Sequence, residues 1–577
     1  MTYPLLFLLA AGLDILLGWG QWPAVLAGHL QDPDSYMRLL RIEQGVRAGH
    51  LVVTVAGDQS GAGVMVEWSR LLDMVIWLLA APLAPFLGWH RALFAAGVAL
   101  GPLGVGALGA ALAWAVEPLA LRRHLWAAAS AAALLPAFHF IALPGMVHYH
   151  IALLALIALT AGCALRAARE DGWYGFLAGV AGGFAIWLTP ETMPFVLMAF
   201  GGLALRWLRA PNAATLLTAA AGCFDVLGIG LFVDPPAGGY GAAEIDRLSY
   251  VYVTMALLLL AAAALLLRIQ ARGGRWRGWL GLLVMGLALA VWIAAFPGVA
   301  AGPAGLLPPA EARAFFGVIS ELAAPRGLDL IVFLLPGAWA VLYAAARAWE
   351  ERRPALKDLE GGLLGPRPRA PLAWAYVALC AAVALALGAG YLLFTSLSAI
   401  FGAALLPVAL SGIAARGGRL AWVKSLAVLA LVLLGPYLAL WAEPPALASQ
   451  PVCDLTGIAP LLAPAAGQVV LAVPEAAPEL LYRAPVLTVG SLYHHGIAGF
   501  MRDRAAWRAP SGPAPPAALT ASGAAFVLIC PHPGRSALVG DLPPGTLWDV
   551  LNEGLVPPWL QAAGQDAAGW RLYRITP

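Results

Sequence analysis

Long runs of apolar residues alternate with short polar loops along most of the chain. A helix needs about 20 apolar residues to cross a bilayer, so runs of that length predict membrane-spanning segments. There are about 13 such runs by this measure. They lie at residues 4–20, 92–116, 124–142, 150–166, 173–189, 193–208, 212–233, 249–268, 277–296, 327–348, 371–394, 398–415 and 420–441. The pattern predicts an all-α polytopic membrane domain over residues 1–442.

Residues 68–88 are also apolar, but Glu67, Arg70 and Asp73 stand at their start. We predict that they form a helix at the membrane interface, within a long first external loop of residues 21–91. With that assignment every arginine-rich loop falls on one side, as the positive-inside rule requires. These loops contain Arg122 and Arg123, Arg166 and Arg169, Arg206 and Arg209, Arg268 to Arg277, Arg347 to Lys357, and Arg416 and Arg419. We therefore expect a bacterial inner-membrane protein with an uncleaved first helix, a cytoplasmic N-terminus and a periplasmic C-terminus.

After Trp441 the apolar runs become too short to cross a membrane, and Pro and Ala are frequent. Residues 443–577 are therefore predicted to form a small soluble α/β domain. Its expected elements are strands at 469–473, 486–489 and 525–530, a mobile loop at 509–524 and a helix at 547–560. Cys453 and Cys530 lie on the predicted oxidising side, where they can form a disulfide or remain as two free thiols.

Composition narrows the class of protein further. Hydrophobic residues make up 61% of the chain and charged residues only 11%, with a net charge of +3. So small a positive charge excludes a large basic face for nucleic acid. The chain has no Walker A, nucleophile-elbow, HExxH or Rossmann sequence in a suitable context. The chain therefore lacks the usual sequence signatures of ATP-driven transporters and serine hydrolases.

The densest polar motif is Asp32-Pro-Asp-Ser-Tyr-Met-Arg-Leu-Leu-Arg-Ile-Glu43 in the first predicted external loop. We expect Asp34 to cap the helix that follows it. Helical spacing places Arg38 and Arg41 on one side, so carboxylates and guanidinium groups can meet a metal ion and a lipid phosphate there. The alternative is an N-capped interfacial helix whose arginines contact lipid headgroups.

Other predicted external loops add further polar residues. The imidazoles of His148-Tyr149-His150 can bind a metal, transfer a proton or mark the interface. Glu191 and Glu321 also face this side, where a carboxylate can simply be solvated.

Together these motifs resemble the GT-C superfamily of membrane glycosyltransferases, in particular the catalytic subunit of oligosaccharyltransferase and related bacterial proteins. The resemblance is carried by residues 32–43, Glu67-Trp-Ser-Arg-Leu-Leu-Asp73, Gly145-Met-Val-His-Tyr-His150 and Ile319-Ser-Glu321. It implies that a first-loop aspartate, Asp34 or Asp32, and a fifth-loop glutamate, Glu321, surround a divalent metal and a lipid-linked sugar donor. His148 stands in the second motif, so the implied catalytic residues and metal ligands are Asp34, His148 and Glu321.

Two motifs depart from this family. Relatives have Asp-His-His where this chain has His148-Tyr149-His150, which shifts the expected metal from Mg²⁺ toward Mn²⁺ or Zn²⁺ and leaves a metal-independent mechanism as the alternative. The Trp-Trp-Asp-Tyr-Gly motif that recognises an N-glycosylation sequon is absent. Instead, Ser491-Leu-Tyr-His-His495 resembles a Tyr-His loop of bacterial relatives that can hang over the membrane site, or else is a solvated loop.

The sequence thus predicts glycosyl transfer, inverting or retaining, from a polyprenyl-phosphate or polyprenyl-pyrophosphate donor to an acceptor at the external face. Membrane lipids are the other expected partners, and the acceptor is not specified. The expected substrate-binding residues are Asp32, Arg38, Arg41, Glu191, Arg326, Tyr493, His494 and His495. The alternatives are a lipid or polysaccharide transporter and a catalytically inactive scaffold of the same fold.

Overall fold

The computed structural model describes residues 2–170, 173–352, 370–442, 453–531 and 544–576. Within these residues, nine helices are long and apolar enough to cross a membrane. They are Trp89–Leu119, His150–Arg169, Ala213–Val233, Tyr250–Arg272, Arg277–Ala295, Asp329–Glu350, Pro371–Gly390, Leu392–Arg416 and Ala421–Leu438. The multi-pass helical fold expected from the sequence is confirmed.

The remaining predicted spans correspond to shorter helices. They are Tyr3–Leu17, Trp126–Leu134 followed by Pro136–His139, Trp173–Leu188, and Met193–Arg209. Pro136 interrupts one of them because proline disfavours helical geometry at the residue before it, and Leu135 is extended. Residues 68–88 form only Leu71–Ala80 and Ala84–Leu87, and the longer of these two helices is too short to cross a bilayer.

Small residues let the helices of the bundle approach closely. A Cβ added at Gly179 would lie 2.0 Å from the carbonyl oxygen of Ala219, and one at Gly222 would lie 2.4 Å from that of Phe176. The backbones of Trp173–Leu188 and Ala213–Val233 are therefore in direct contact, as is common between membrane helices.

Several arginines join helix ends at one end of the bundle. The guanidinium of Arg206 donates to the carbonyl of Ala168, and Arg277 Nη2 donates to the carbonyl of Leu208 at 3.2 Å. Arg416 and Glu350 form an ion pair at 2.5 Å. In the described part of the arginine-rich loops, these arginine side chains thus connect the ends of neighbouring helices. Residues 353–357 of the predicted Arg347 to Lys357 loop lie outside the described residues.

The C-terminal part contains a five-stranded sheet with the order β4-β3-β5-β7-β6. Its strands are β3 (Val469–Leu471), β4 (Leu487–Thr488), β5 (Phe526–Ile529), β6 (Leu560–Gln565) and β7 (Arg571–Ile575). Strands β4, β3 and β5 are parallel, whereas β7 and β6 are antiparallel, with Val470 opposite Phe526 and Val527 opposite Tyr573. The helices of this part are Ala459–Leu462, Ala477–Arg483, Ile497–Arg508, Ala517–Ala521 and Leu547–Asn552. The expected α/β architecture is confirmed.

Some boundaries differ from the sequence prediction. The helix expected at 547–560 ends at Asn552, and residues 509–524 contain the short helix Ala517–Ala521 with a fully buried Leu519. Cys453 and Cys530 form a disulfide with a Cα separation of 5.6 Å, so the disulfide interpretation is confirmed. The predicted domain boundary at residue 443 lies outside the described residues.

The first long loop is bound to the C-terminal part. It contains the hairpin of β1 (Thr54–Val55) and β2 (Val64–Met65). Next to this hairpin, the buried carboxylate of Asp58 accepts hydrogen bonds from Thr488, at 2.9 Å, and Ser491. The Gln59 side chain donates to the carbonyl of Gly496 at 2.9 Å. These contacts hold the first loop and the loop after β4 in a fixed relation.

The other helices of the connecting segments are short, apart from one. They are Trp22–Leu26, Gly298–Ala301 and Pro309–Phe316. The exception is Pro33–Ala48, which we call the polar helix. It carries the densest polar motif of the sequence and lies between the bundle and the C-terminal part.

Candidate active site

The polar helix begins with a side-chain cap at Asp32. Asp32 has extended backbone geometry, and its Oδ1 accepts a hydrogen bond from the backbone N–H of Ser35 at 2.7 Å. Pro33 at the first helical position fits, because it has no N–H that would need a partner. The prediction that Asp34 caps this helix is therefore wrong. Because Asp32 satisfies the helix end, the carboxylate of Asp34 is available for other contacts.

Asp34 meets residues from two other segments. Its Oδ1 accepts a hydrogen bond from the hydroxyl of Tyr493 at 2.9 Å, and its Oδ2 lies 3.9 Å from Nε2 of His148. The Asp34 side chain remains 36% exposed. Removal from bulk water raises its pKa above the usual range for a carboxyl group; the cation of His148 opposes this shift and the charge of Asp32 adds to it.

His148 is held at the end of a loop that crosses the polar helix. The backbone N–H of Val147, the residue before it, donates to Ser35 Oγ at 2.8 Å. Nε2 of His148 lies 2.8 Å from Oδ2 of Asp32, and its Nδ1 lies 3.2 Å from Nδ1 of His150. Burial lowers the pKa of His148, but the charge and hydrogen bond of Asp32, together with the charges of Asp34 and Glu321, outweigh burial and raise the pKa to about 9.

Glu321 completes a group that can hold a metal ion. One ligand atom each from His148, His150 and Glu321 lies within 4.8 Å of the others. Glu321 belongs to the turn Ser320–Leu322 and is exposed, whereas both histidines are buried. Nε2 of His150 is buried with no hydrogen-bond partner among the described residues, which fits a missing ligand. Two nitrogens and one oxygen suit Mn²⁺ or Zn²⁺ better than Mg²⁺.

A pocket beside this group joins polar and apolar residues. It is lined by His150 and Glu191, and also by Leu393 and Phe394. Burial raises the pKa of Glu191 to about 7, and the negative charge of Glu321 adds to that effect. The pocket has a volume of only about 10 Å³, enough for about one water molecule, and it places the carboxyl group of Glu191 next to a mainly apolar surface.

The structure does not bring Arg38 and Arg41 to this open site. Both are about 1% exposed. Arg38 Nη1 and Arg41 Nε contact the two oxygens of Asp73 at 3.0 and 2.7 Å, and the guanidinium of Arg38 lies 4.4 Å from the ring centroid of Trp68. Their N–H groups donate to a buried carboxylate and to backbone carbonyls, so both arginines stabilise the fold and are not available to a substrate.

The last expected substrate contacts separate into three locations. Arg326 is exposed in the turn that follows Glu321. Tyr493 reaches Asp34, as described above. His494 and His495 turn instead to Asp246, a residue that sequence analysis did not single out, with Nε2 to Oδ2 distances of 2.7 and 2.6 Å.

Sequence analysis named His150 as a possible metal ligand but left it out of the expected ligand set, and it did not single out Asp246. The two-residue spacing of His148 and His150 was a signal for His150. In an extended backbone this spacing places both imidazoles on the same side of the chain, where they can bind one metal ion. Asp246 lies in the loop between Ala213–Val233 and Tyr250–Arg272, alongside Glu244 and Arg247, and this short charged run matches no ligand motif.

This arrangement occurs on a known fold. The structure is similar to that of the apo oligosaccharyltransferase of Archaeoglobus fulgidus, with a TM-score of 0.68, 13% identity, and coverage of 91% of this chain and 69% of that chain. That enzyme in complex with Zn and sulfate gives a TM-score of 0.63 and 14% identity, with 91% and 67% coverage. Its complex with an inhibitory peptide and a dolichol-phosphate gives 0.63 and 12% identity, with 91% and 69% coverage.

No family model and no curated protein matches the sequence. The similarity therefore establishes the fold alone, an oligosaccharyltransferase-like helical membrane domain with a C-terminal α/β part, as expected from the sequence.

Proposed function

We propose that this oligosaccharyltransferase-like fold transfers a sugar or glycan from a polyprenyl-phosphate or polyprenyl-pyrophosphate donor to an acceptor. The observation that carries the proposal is the meeting of Asp34, His148, Glu321 and Tyr493, which come from four separate segments. A similar structure, that of the archaeal enzyme, holds a dolichol-phosphate. A lipid-linked phosphate is therefore the donor chemistry that best suits this site.

Asp34 is the proposed general base. A base must lie within hydrogen-bond reach of the proton that it removes, and Asp34 is the partly exposed carboxylate of the group. Tyr493 holds one of its oxygens, so the other oxygen can take a proton from the acceptor. Exposed Arg326, five positions after Glu321 in the chain, is the proposed group that stabilises the negative charge developing on the leaving phosphate.

His148, His150 and Glu321 would hold a divalent metal, with Mn²⁺ or Zn²⁺ preferred for this mixed donor set. When bound, such an ion supplies Lewis-acid stabilisation of a phosphate oxygen. Asp32 contacts His148 and so orients its ring, as carboxylates commonly do for ligand histidines. Asp34 is outside this ligand group, which leaves it free to act as the base.

We also propose that the site lies at the external face of a bacterial inner membrane. The support is the concentration of arginines at other helix ends, which the positive-inside rule assigns to the cytoplasm. Cysteine at exposed Gly273 should be shielded from an impermeant thiol reagent in intact cells, whereas cysteine at exposed Glu553 should react. Labelling of Gly273→Cys from outside would reverse the orientation.

A transporter is less well supported by the same residues. Transporters bind substrate near the bilayer midplane, commonly between repeated halves. Here the carboxylates and imidazoles of the site lie in loops and at helix ends, next to the C-terminal part. Sequon recognition is not included in the proposal, because the sequence motif for it is absent.

The test is transfer by purified full-length protein in lipid nanodiscs. Radiolabelled sugars on polyprenyl phosphate and pyrophosphate are supplied with a cell-envelope extract as the acceptor source. We expect labelled product and release of the lipid phosphate from the first donor or the lipid pyrophosphate from the second. Glu321→Gln should be about 10²-fold slower, and the exposed control Glu553→Gln should be unchanged. Movement of intact donor across a vesicle membrane, without cleavage of its sugar, would contradict the proposal and favour transport.

A further inference from the structure

A second group of metal-binding side chains lies outside the proposed active site. One ligand atom each from Asp246, His494 and His495 lies within 4.8 Å of the others. The two Nε2 atoms approach the same carboxylate oxygen, Asp246 Oδ2, at 2.7 and 2.6 Å. None of these residues belongs to the group of His148, His150 and Glu321.

The contacts within this group leave buried atoms without partners. The Asp246 side chain is 3% exposed, and its second oxygen, Oδ1, has no hydrogen-bond partner among the described residues. Leaving a buried carboxylate oxygen unsatisfied costs free energy. A cation bound at this carboxylate would remove that cost.

A further carboxylate stands behind one of the histidines. Glu67 Oε1 lies 3.8 Å from Nδ1 of His494, on the opposite side of the ring from Asp246. Glu67 Oε2 is also buried without a hydrogen-bond partner among the described residues. A carboxylate next to the second nitrogen of a ligand histidine is the usual outer arrangement of a metal site, because it fixes the ring and its tautomer.

The charges of the group also favour a bound cation. Asp246 and Glu67 are two buried or half-buried acids, and the imidazoles are neutral when they bind a metal. A divalent cation would balance both carboxylates. Two imidazole nitrogens with one carboxylate oxygen form a three-residue donor set that Zn²⁺ accepts, and the second oxygen of Asp246 can close the fourth position, as a structural site requires.

We propose that Asp246, His494 and His495 bind a transition-metal ion, with Zn²⁺ preferred, and that this ion fastens the C-terminal part to the loop before Tyr250–Arg272. The two histidines follow β4, whereas Asp246 belongs to the membrane domain. The ion would therefore link segments about 250 positions apart in the chain, as a structural metal does. It would also fix Tyr493, the neighbour of His494.

Zinc alone is the probe for this site. Purified full-length protein is stripped with chelator, titrated with Zn²⁺, desalted and measured by inductively coupled plasma mass spectrometry. We expect His495→Ala and Asp246→Asn each to hold one Zn²⁺ fewer per chain than the wild type. The exposed His50→Ala should match the wild type, and His148→Ala together with His495→Ala should lose more zinc than either change alone. Unchanged zinc content in both His495→Ala and Asp246→Asn would overturn the proposal.

A second variant protects the test against loss of folding. His495→Cys keeps a metal donor but replaces nitrogen with a thiolate. With Co²⁺ in place of Zn²⁺, this variant should gain a near-ultraviolet thiolate-to-cobalt band that is absent from the wild type and from His50→Cys. If the band does not appear in a variant that melts like the wild type, the three residues form only hydrogen bonds and the proposal fails.

Discussion

The first turn and the middle of the polar helix carry similar numbers of charged residues but place them in opposite surroundings. In the first turn, Asp34 is 36% exposed, accepts a hydrogen bond from Tyr493 and lies near His148. In the middle, Arg38 and Arg41 are buried and share the carboxylate of Asp73. One helix thus has a reactive end and a structural centre.

The difference in burial and pairing distinguishes a residue that acts on a substrate from one that stabilises the fold, which charge alone does not distinguish. A group that acts on a substrate needs access and an incompletely satisfied carboxylate, as Asp34 has. A group that fixes a fold needs partners that satisfy it completely, because an unpaired buried charge is costly. The arginines hold Trp68 and the first turn of helix Leu71–Ala80, which contains Asp73, against the polar helix.

The largest expected effect comes from breaking the structural centre. Asp73→Asn removes the negative charge shared by Arg38 and Arg41, so two buried guanidinium groups lose their counterion. We expect a loss of about 3–5 kcal/mol in stability, the usual result of removing one partner of a buried ion pair. Thermal unfolding in detergent measures it, with Glu553→Gln as the exposed carboxylate control. An unchanged melting temperature with abolished transfer would assign the arginines to the substrate instead.

The next effect comes from the reactive end. Asp34→Asn retains the shape of the side chain but not its charge or its ability to take a proton. Because Asp32 is the helix cap, we expect stability to change by less than about 0.5 kcal/mol, while transfer falls by about 10²-fold or more. The measurement is initial rate in nanodiscs, normalised to folded protein. Full activity of Asp34→Asn would remove the proposed base.

Part of this division was predictable from the sequence. Apolar runs of spanning length follow directly from composition, so the helical bundle was foreseen. The resemblance brought Asp34, His148 and Glu321 together because their motifs are short and ordered along the chain. In contrast, the direction of the arginines was not predictable, since helical spacing gives a face but not the burial of that face.

Long-range pairings account for the other omissions. Asp246 meets His494 across 248 positions, and no pattern near either residue indicates its partner. Strand β6, Leu-Gln-Ala-Ala-Gly-Gln, was missed because it has no apolar alternation, and all of its residues after Leu560 are exposed. Backbone hydrogen bonds to β7 hold β6 in the sheet, because its own side chains bury little apolar surface.

A smaller change would sharpen the role of Tyr493 at the reactive end. Tyr493→Phe removes the hydroxyl that donates to Asp34 at 2.9 Å but keeps the ring, whose centroid lies 5.3 Å from that of Trp68. A hydrogen bond to a charged group contributes about 1.5–3 kcal/mol to stability, so we expect a lower melting temperature. Transfer per folded molecule should also slow, because Asp34 loses the contact that positions one of its oxygens. An unchanged rate would show that Asp34 needs no help from this hydroxyl.

The smallest expected effect concerns Asp32, which stands between the two roles because it caps the polar helix and also contacts His148. Asp32→Ala should cost about 1 kcal/mol of stability, as loss of an N-cap does. Ser249→Ala, at the cap of Tyr250–Arg272, is the matched control and should cost a similar amount.

Asp32→Asn tests the other half of that role, because asparagine caps a helix as well as aspartate does. It should keep the cap, so any loss of stability reports the charge that it removes 2.8 Å from Nε2 of His148. If Asp32 orients the histidine, Asp32→Asn should slow transfer, but less than Asp34→Asn, whose carboxylate takes the proton. Equal losses of rate in the two asparagine variants would mean that either carboxylate can be the base, and the division between cap and base would then fail.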